Sequence, residues 1–203
     1  SRKMVDNEGT ASGIPGAQAS IWFGKLFDVK DVFAFDMTVS CGYEQWIGAM
    51  NTNFVGYGLA STYFFDVGGS IKLVNMFTIF GQFWFGQNLY DFLGGMGYMR
   101  YGYGNEVIAM GGFVDLKIEP IKELQFNLVA GIDDPLDERI VGVVGISNPR
   151  LQNVTFMANA IVKIFEKFSI ALECDYVRTT YNLASGAELR QNIHIENSYK
   201  YEF

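Results

Sequence analysis

The side chains of this chain that could do chemistry sit at alternate positions of apolar–polar runs. Asp36, Glu44, Asp66, Asp115, Glu173, Asp175, Glu196 and Glu202 occupy polar positions, as do Lys72, Lys117, Lys163 and Lys200. Residues two apart on a β-strand point to the same face, so these charges are expected to share one polar surface. Charges that line an aqueous passage decide which ions and solutes enter it. Acidic groups dominate the set, which leans towards cations. Several stand close to strand ends, where they would only solvate a rim, because permeation is controlled at a constriction. The Gly-rich stretch 86–104, with Tyr90, Asp91, Arg100 and the adjoining Glu106, is the candidate for an inward-folding constriction loop.

Other chemistries have weaker support. Asp133, Asp134, Asp137 and Glu138 cluster near Pro135 and offer hard oxygen ligands of the kind that hold Ca²⁺. Their spacing is not that of an EF-hand, and a solvated acidic loop is the preferred reading. His194, the single histidine, and Ser198 share a face. Four residues of strand separate them by roughly 13 Å, too far for a nucleophile and its base. Cys41 and Cys174 fall on apolar positions of separate runs and read as small hydrophobes rather than a disulfide. The net charge of −7 and the lack of a basic cluster exclude a nucleic-acid partner. No cofactor or metal is called for.

The elements that carry these residues read as strands. Ile193, Ile195, Tyr199, Tyr201 and Phe203 alternate with His194, Glu196, Ser198, Lys200 and Glu202, a period of two with one apolar and one polar face. Nine strands are predicted at about 18–28, 32–44, 54–66, 71–85, 106–118, 123–131, 152–164, 168–180 and 191–203. Short turns at 28–31, 67–70, 119–122 and 166–167 alternate with longer connections at 45–53, 86–105, 132–151 and 181–190. Leu73–Tyr90 is uncharged and long enough for a membrane helix, but its Gly, Asn and Gln content makes a strand the better reading.

Composition points the same way. Of the 203 residues 49% are hydrophobic and 16% aromatic, including 18 Phe and 11 Tyr. A barrel in lipid uses such residues on its outer wall and in two interfacial girdles. Tyr63, Phe65, Phe165, Phe168, Tyr199, Tyr201 and Phe203 are expected at the short-turn rim. Tyr43, Trp46, Trp84, Phe85, Tyr176 and Tyr181 are expected at the other. The expected fold is therefore all-β, an antiparallel up-and-down transmembrane β-barrel with about nine strands present. Short turns on the periplasmic side would bring Phe203 to the periplasmic rim of a bacterial outer membrane. Residues 1–17 would then be a remnant of an extracellular loop, and 18–203 the C-terminal part of a barrel with further strands before it.

Certain segments carry a family resemblance. Gly86-Gln-Asn-Leu-Tyr-Asp-Phe-Leu-Gly-Gly-Met-Gly97, Gly131-Ile-Asp-Asp-Pro135, Arg150 with Asn153, Phe156-Met-Ala-Asn-Ala-Ile-Val162 and Glu173-Cys-Asp-Tyr-Val-Arg-Thr-Thr-Tyr181 resemble elements of the DcaP-like porins, trimeric outer-membrane channels. The resemblance covers about 75–203, and the stretch 136–149 departs from it in being more apolar. It implies a homotrimer in outer-membrane lipid through which small hydrophilic solutes diffuse passively. A receptor or adhesin barrel, or a lipid-processing enzyme, is the alternative.

Overall fold

The structure, a computed structural model, describes residues 17–29, 33–50, 56–89, 107–136, 150–183 and 186–201. Nine strands follow one another: β1 (Ala17–Val29), β2 (Phe33–Met50), β3 (Gly56–Leu73), β4 (Phe77–Gln87), β5 (Ile108–Ile121), β6 (Leu124–Pro135), β7 (Arg150–Phe165), β8 (Phe168–Leu183) and β9 (Gly186–Tyr201). They form one antiparallel sheet in sequence order. The fold is all-β and up-and-down, as the alternation predicts. Among the described residues there is no helix and no pairing between β1 and β9.

Register carries a single division of faces across the whole sheet. One row runs Met37, Gly69, Gly81, Val114, Ala130, Phe156, Tyr176, Ile193, and its neighbour runs Phe35, Ile71, Ile79, Leu116, Leu128, Ala158, Cys174, Ile195. Between these rows lie the polar positions. The two faces also differ in exposure: Phe126 and Leu128 are 37% and 50% exposed, whereas Asn127 between them is 8% exposed. Both cysteines are exposed thiols on the apolar side.

The strand boundaries correct the sequence reading in several places. Val67-Gly-Gly-Ser70 is not a turn but the interior of β3, and the chain reverses at Val74-Asn75-Met76. Gly69 is there for close backbone approach: a Cβ on it would stand 2.5 Å from the Asp36 carbonyl oxygen. Moving the turn also removes Asn75 from β4, whose outer row becomes Phe77, Ile79, Gly81, Phe83 and Phe85. At the other end β8 and β9 are joined across residues 184–185 alone, not by a long connection over 181–190. The alternation of short and long connections therefore holds only through the middle of the sheet.

The aromatic belts shift accordingly. Tyr63 pairs with Tyr43 and Phe65 with Phe85, which puts Tyr63 and Phe65 in the half next to the long connection. Phe156 stacks on Tyr176, ring centroids 6.4 Å apart, in the same half. Trp84 and Tyr181 leave the belt altogether and lie on the polar face. Phe203 and Glu202 lie outside the described residues.

Candidate functional site

The polar face is the candidate site, and its residues are positioned by register. Asp36, Asp66, Lys72, Asp115, Lys117, Lys163, Glu173, Asp175, Glu196 and Lys200 all fall on it. Lys72, Thr78, Lys117, Asn127, Asn159, Glu173 and Glu196 form one continuous row from β3 to β9. Hydrogen bonds run along its second half: Gln125 donates to Asn127 at 3.0 Å, Asn127 to Asn159 at 2.6 Å and Asn159 to Glu173 at 3.1 Å. Such a chain satisfies amides that are withdrawn from solvent, Asn127 above all. Glu173 and Glu196 then face each other directly, a like-charge pair that favours a cation near them.

The basic residues gather towards the short turns. Lys163, Ser169 and Lys200 are direct cross-strand partners. With Lys167, Ser198, Gln125 and Glu166 they border a cavity of about 350 Å³. Lys117 is held by Glu119 at 2.8 Å. The acidic residues Asp66, Asp115, Glu173 and Asp175 stand deeper in their strands. His194 pairs with Asp175, Nδ1 to Oδ2 at 3.6 Å, while Ser198 lies across from Ala171. The structure thus brings His194 to a carboxylate and not to Ser198.

At the far end of β3, β4 and β5 the polar face becomes a small core. Leu89, the second residue after β4, is turned back over it and packs with Phe64, Ala109 and Trp84. Two features of the backbone send it there. Asn88 adopts φ 54°, a left-handed conformation that asparagine tolerates better than most residues. Gly86 leaves the room: a Cβ there would stand 2.1 Å from the Tyr63 carbonyl oxygen and 2.6 Å from Leu89 Cδ2.

The neck of the connection is clasped shut below Leu89. The Asn88 N–H donates to the Val107 carbonyl at 2.8 Å, and the Val107 N–H donates to Asn88 Oδ1 at 3.2 Å. Asn88 Nδ2 donates to the Ser61 carbonyl at 3.1 Å, and Gln87 Nε2 to the same oxygen at 2.9 Å. The excursion from Leu89 to Glu106 therefore starts and finishes at one point on the polar side. Tyr90, Asp91 and Arg100, the constriction candidates, lie outside the described residues.

Two of the Ca²⁺ candidates, Asp133 and Asp134, do not share a face. Asp133 lies on the polar face opposite Gly111 and Asn153, and Asp134 on the apolar face opposite Met110. Consecutive residues of a strand point to opposite sides, and Asp134 accepts from Gln152 at 3.2 Å. Asp137 lies outside the described residues, among which no group of three acidic or metal-binding side chains converges. The sequence reading missed Asn88 and Leu89, and the polar-face aromatics Phe64, Phe80, Trp84 and Phe113. An Asn directly after an alternating run was the available signal for the neck.

The chain matches no protein-family model, no curated protein and no solved structure.

Proposed function

We propose that this sheet is a wall segment of an outer-membrane porin that lets small hydrophilic solutes and ions diffuse passively. The observation that carries the reading is the unbroken division of faces. Nine strands in one layer put large apolar side chains outward and charges, amides and hydroxyls on the opposite side. A soluble single sheet would expose Phe83, Leu128, Phe156, Leu172 and Ile195, which are 48–67% exposed, to water. Lipid is the solvent that suits that face, and strands with every backbone group paired are one of the two forms able to cross it.

In such a wall the polar face replaces bulk water along the solute's path. The acidic groups in the middle of the strands favour cations there, and the inward-turned neck at Asn88–Leu89 narrows the passage from one side. The edges at β1 and β9 require neighbours, since unpaired backbone in lipid costs several kcal/mol per group. β1 and β9 run in the same direction, so an antiparallel barrel containing this sheet needs an odd number of further strands between them. The likeness to DcaP-like porins supports a homotrimer.

The test is single-channel recording of the complete gene product, refolded and inserted in a planar bilayer under a salt gradient. Steady open steps with a cation-leaning reversal potential are expected. A folded barrel that passes no current would sink the porin reading and leave the receptor, adhesin or enzyme alternatives.

A further inference from the structure

One patch of the polar face is more than a wetted wall requires. Phe80 of β4 and Phe113 of β5 stand on it with ring centroids 5.4 Å apart and planes inclined at 55°. Phe80 remains 39% exposed. Three carboxylates share its face on β2, β3 and β5. Asp115 is the direct cross-strand partner of Phe80, which sets their Cβ atoms about 5 Å apart. Ser70 is its partner on the other side and donates to Asp36 at 2.5 Å. Gln82, the partner of Phe113, donates to Asp66 at 2.6 Å.

We propose that this patch binds organic cations, an ammonium or guanidinium group carried on an apolar stem. The inference rests on the porin reading only in taking the polar face as open to solutes. An aromatic ring attracts a cation placed over its face within about 6 Å of its centroid, and the apolar stem covers the second ring. Asp36 and Asp66 each use one oxygen in the bonds above, and Asp115 Oδ1 is buried beside the rings without a partner among the described residues. An ionised carboxylate has about four lone-pair sites, so acceptor capacity is left for N–H donors. Lys117, two positions along β5 from Asp115, is engaged by Glu119.

The rings are what separate this patch from a purely acidic wall. Carboxylates alone attract potassium as readily as an alkyl guanidinium of the same charge. Exposed aromatic carbon gives the organic ion an advantage that the inorganic one lacks. An anion would meet three carboxylates here, and a neutral sugar would leave their charge uncompensated.

The probe is agmatine, titrated calorimetrically into the complete, refolded protein in detergent with potassium chloride present at physiological ionic strength. Binding is expected above the potassium background. Phe80→Leu keeps apolar bulk but removes the flat ring, and should weaken binding about two- to fivefold. Asp115→Asn should weaken it by a similar factor. Urea midpoints of both variants show that the fold is kept. No binding, equal affinity in the wild type and both variants, or tighter binding of cellotriose or succinate at the same residues overturns the inference. Bilayer currents report separately on the porin: current without agmatine binding keeps the channel and removes the site. Agmatine binding without current does the reverse.

Discussion

The polar face is treated in two ways, over β3–β5 and along β8–β9. Over β3–β5 the chain turns back at Asn88, and residues on the polar side become core: Thr62 and Ala109 are almost fully buried, and Leu89 is 3% exposed. Along β9 the same alternation leaves nearly every residue exposed on both faces, since no further strand pairs with it among the described residues. Both regions follow the same period-two pattern. The difference in burial comes from what surrounds each region, folded-back chain over one and an unpaired edge at the other, and not from the pattern.

The comparison can be broken most forcefully on the outer side. Val114 sits near the middle of β5 and Ile195 near the middle of β9, both on the apolar face. An arginine at the midplane of a lipid-facing strand costs about 2–4 kcal/mol. Val114→Arg is therefore expected to lower stability by that amount, measured by urea unfolding of the complete protein in lipid vesicles. The same change at Thr155, on the polar face, should stay within about 0.5 kcal/mol. An Ile195→Arg penalty equal to that of Val114→Arg would show that β9 also faces lipid. A small one would mean that its outer side meets protein or water, and small penalties at both sites would sink the membrane reading.

Two glycines sharpen the contrast at a smaller scale. Gly86 has the Tyr63 carbonyl and Leu89 within 2.6 Å of where a Cβ would stand, while Gly186, at φ 113°, has nothing within 4 Å. Gly86→Ala overpacks the neck, at a cost of about 1–3 kcal/mol, and should strip hydrogen-exchange protection from the Asn88 and Val107 amides. Gly186→Ala pays only for its backbone conformation, about 1 kcal/mol, and should leave those amides protected. Equal loss of protection in both variants would mean that the neck and the β8–β9 hairpin open as one unit.

How much of this was legible in the sequence depends on the element. Strand count, order and the sharing of one face by ten charged residues follow from period-two alternation, which survives errors of an even number of residues in any boundary. The turn at 74–76 was not legible, because Gly68-Gly69 looks like a turn from sequence and is in fact strand interior, with Gly69 close against the β2 backbone. That one misplacement sent Tyr63 and Phe65 to the wrong rim. Trp84 was assigned to the aromatic belt at the long-connection rim, whereas the register pairs it with Asp66 on the polar side. The acidic pair Asp133-Asp134 looked like a cluster in one dimension and is split between two faces in three. The neck was invisible because it depends on the left-handed Asn88 meeting Val107 across eighteen intervening residues.

The finest test sits within the polar row itself. Asn159 both accepts from Asn127 and donates to Glu173, and Asn127 is 8% exposed. Asn159→Ala leaves a buried amide without its acceptor, which costs about 1–3 kcal/mol. His194 is also paired on the polar face, but its side chain is 57% exposed and its partner is 3.6 Å away. His194→Ala should therefore stay within about 0.5 kcal/mol. Urea unfolding of the complete protein would compare the two variants directly. A His194→Ala cost as large as that of Asn159→Ala would mean that β9 is not an edge in the complete protein. A neighbouring strand would then cover His194 and convert the exposed pair with Asp175 into a buried one, extending to β9 the treatment that the face receives over β3–β5.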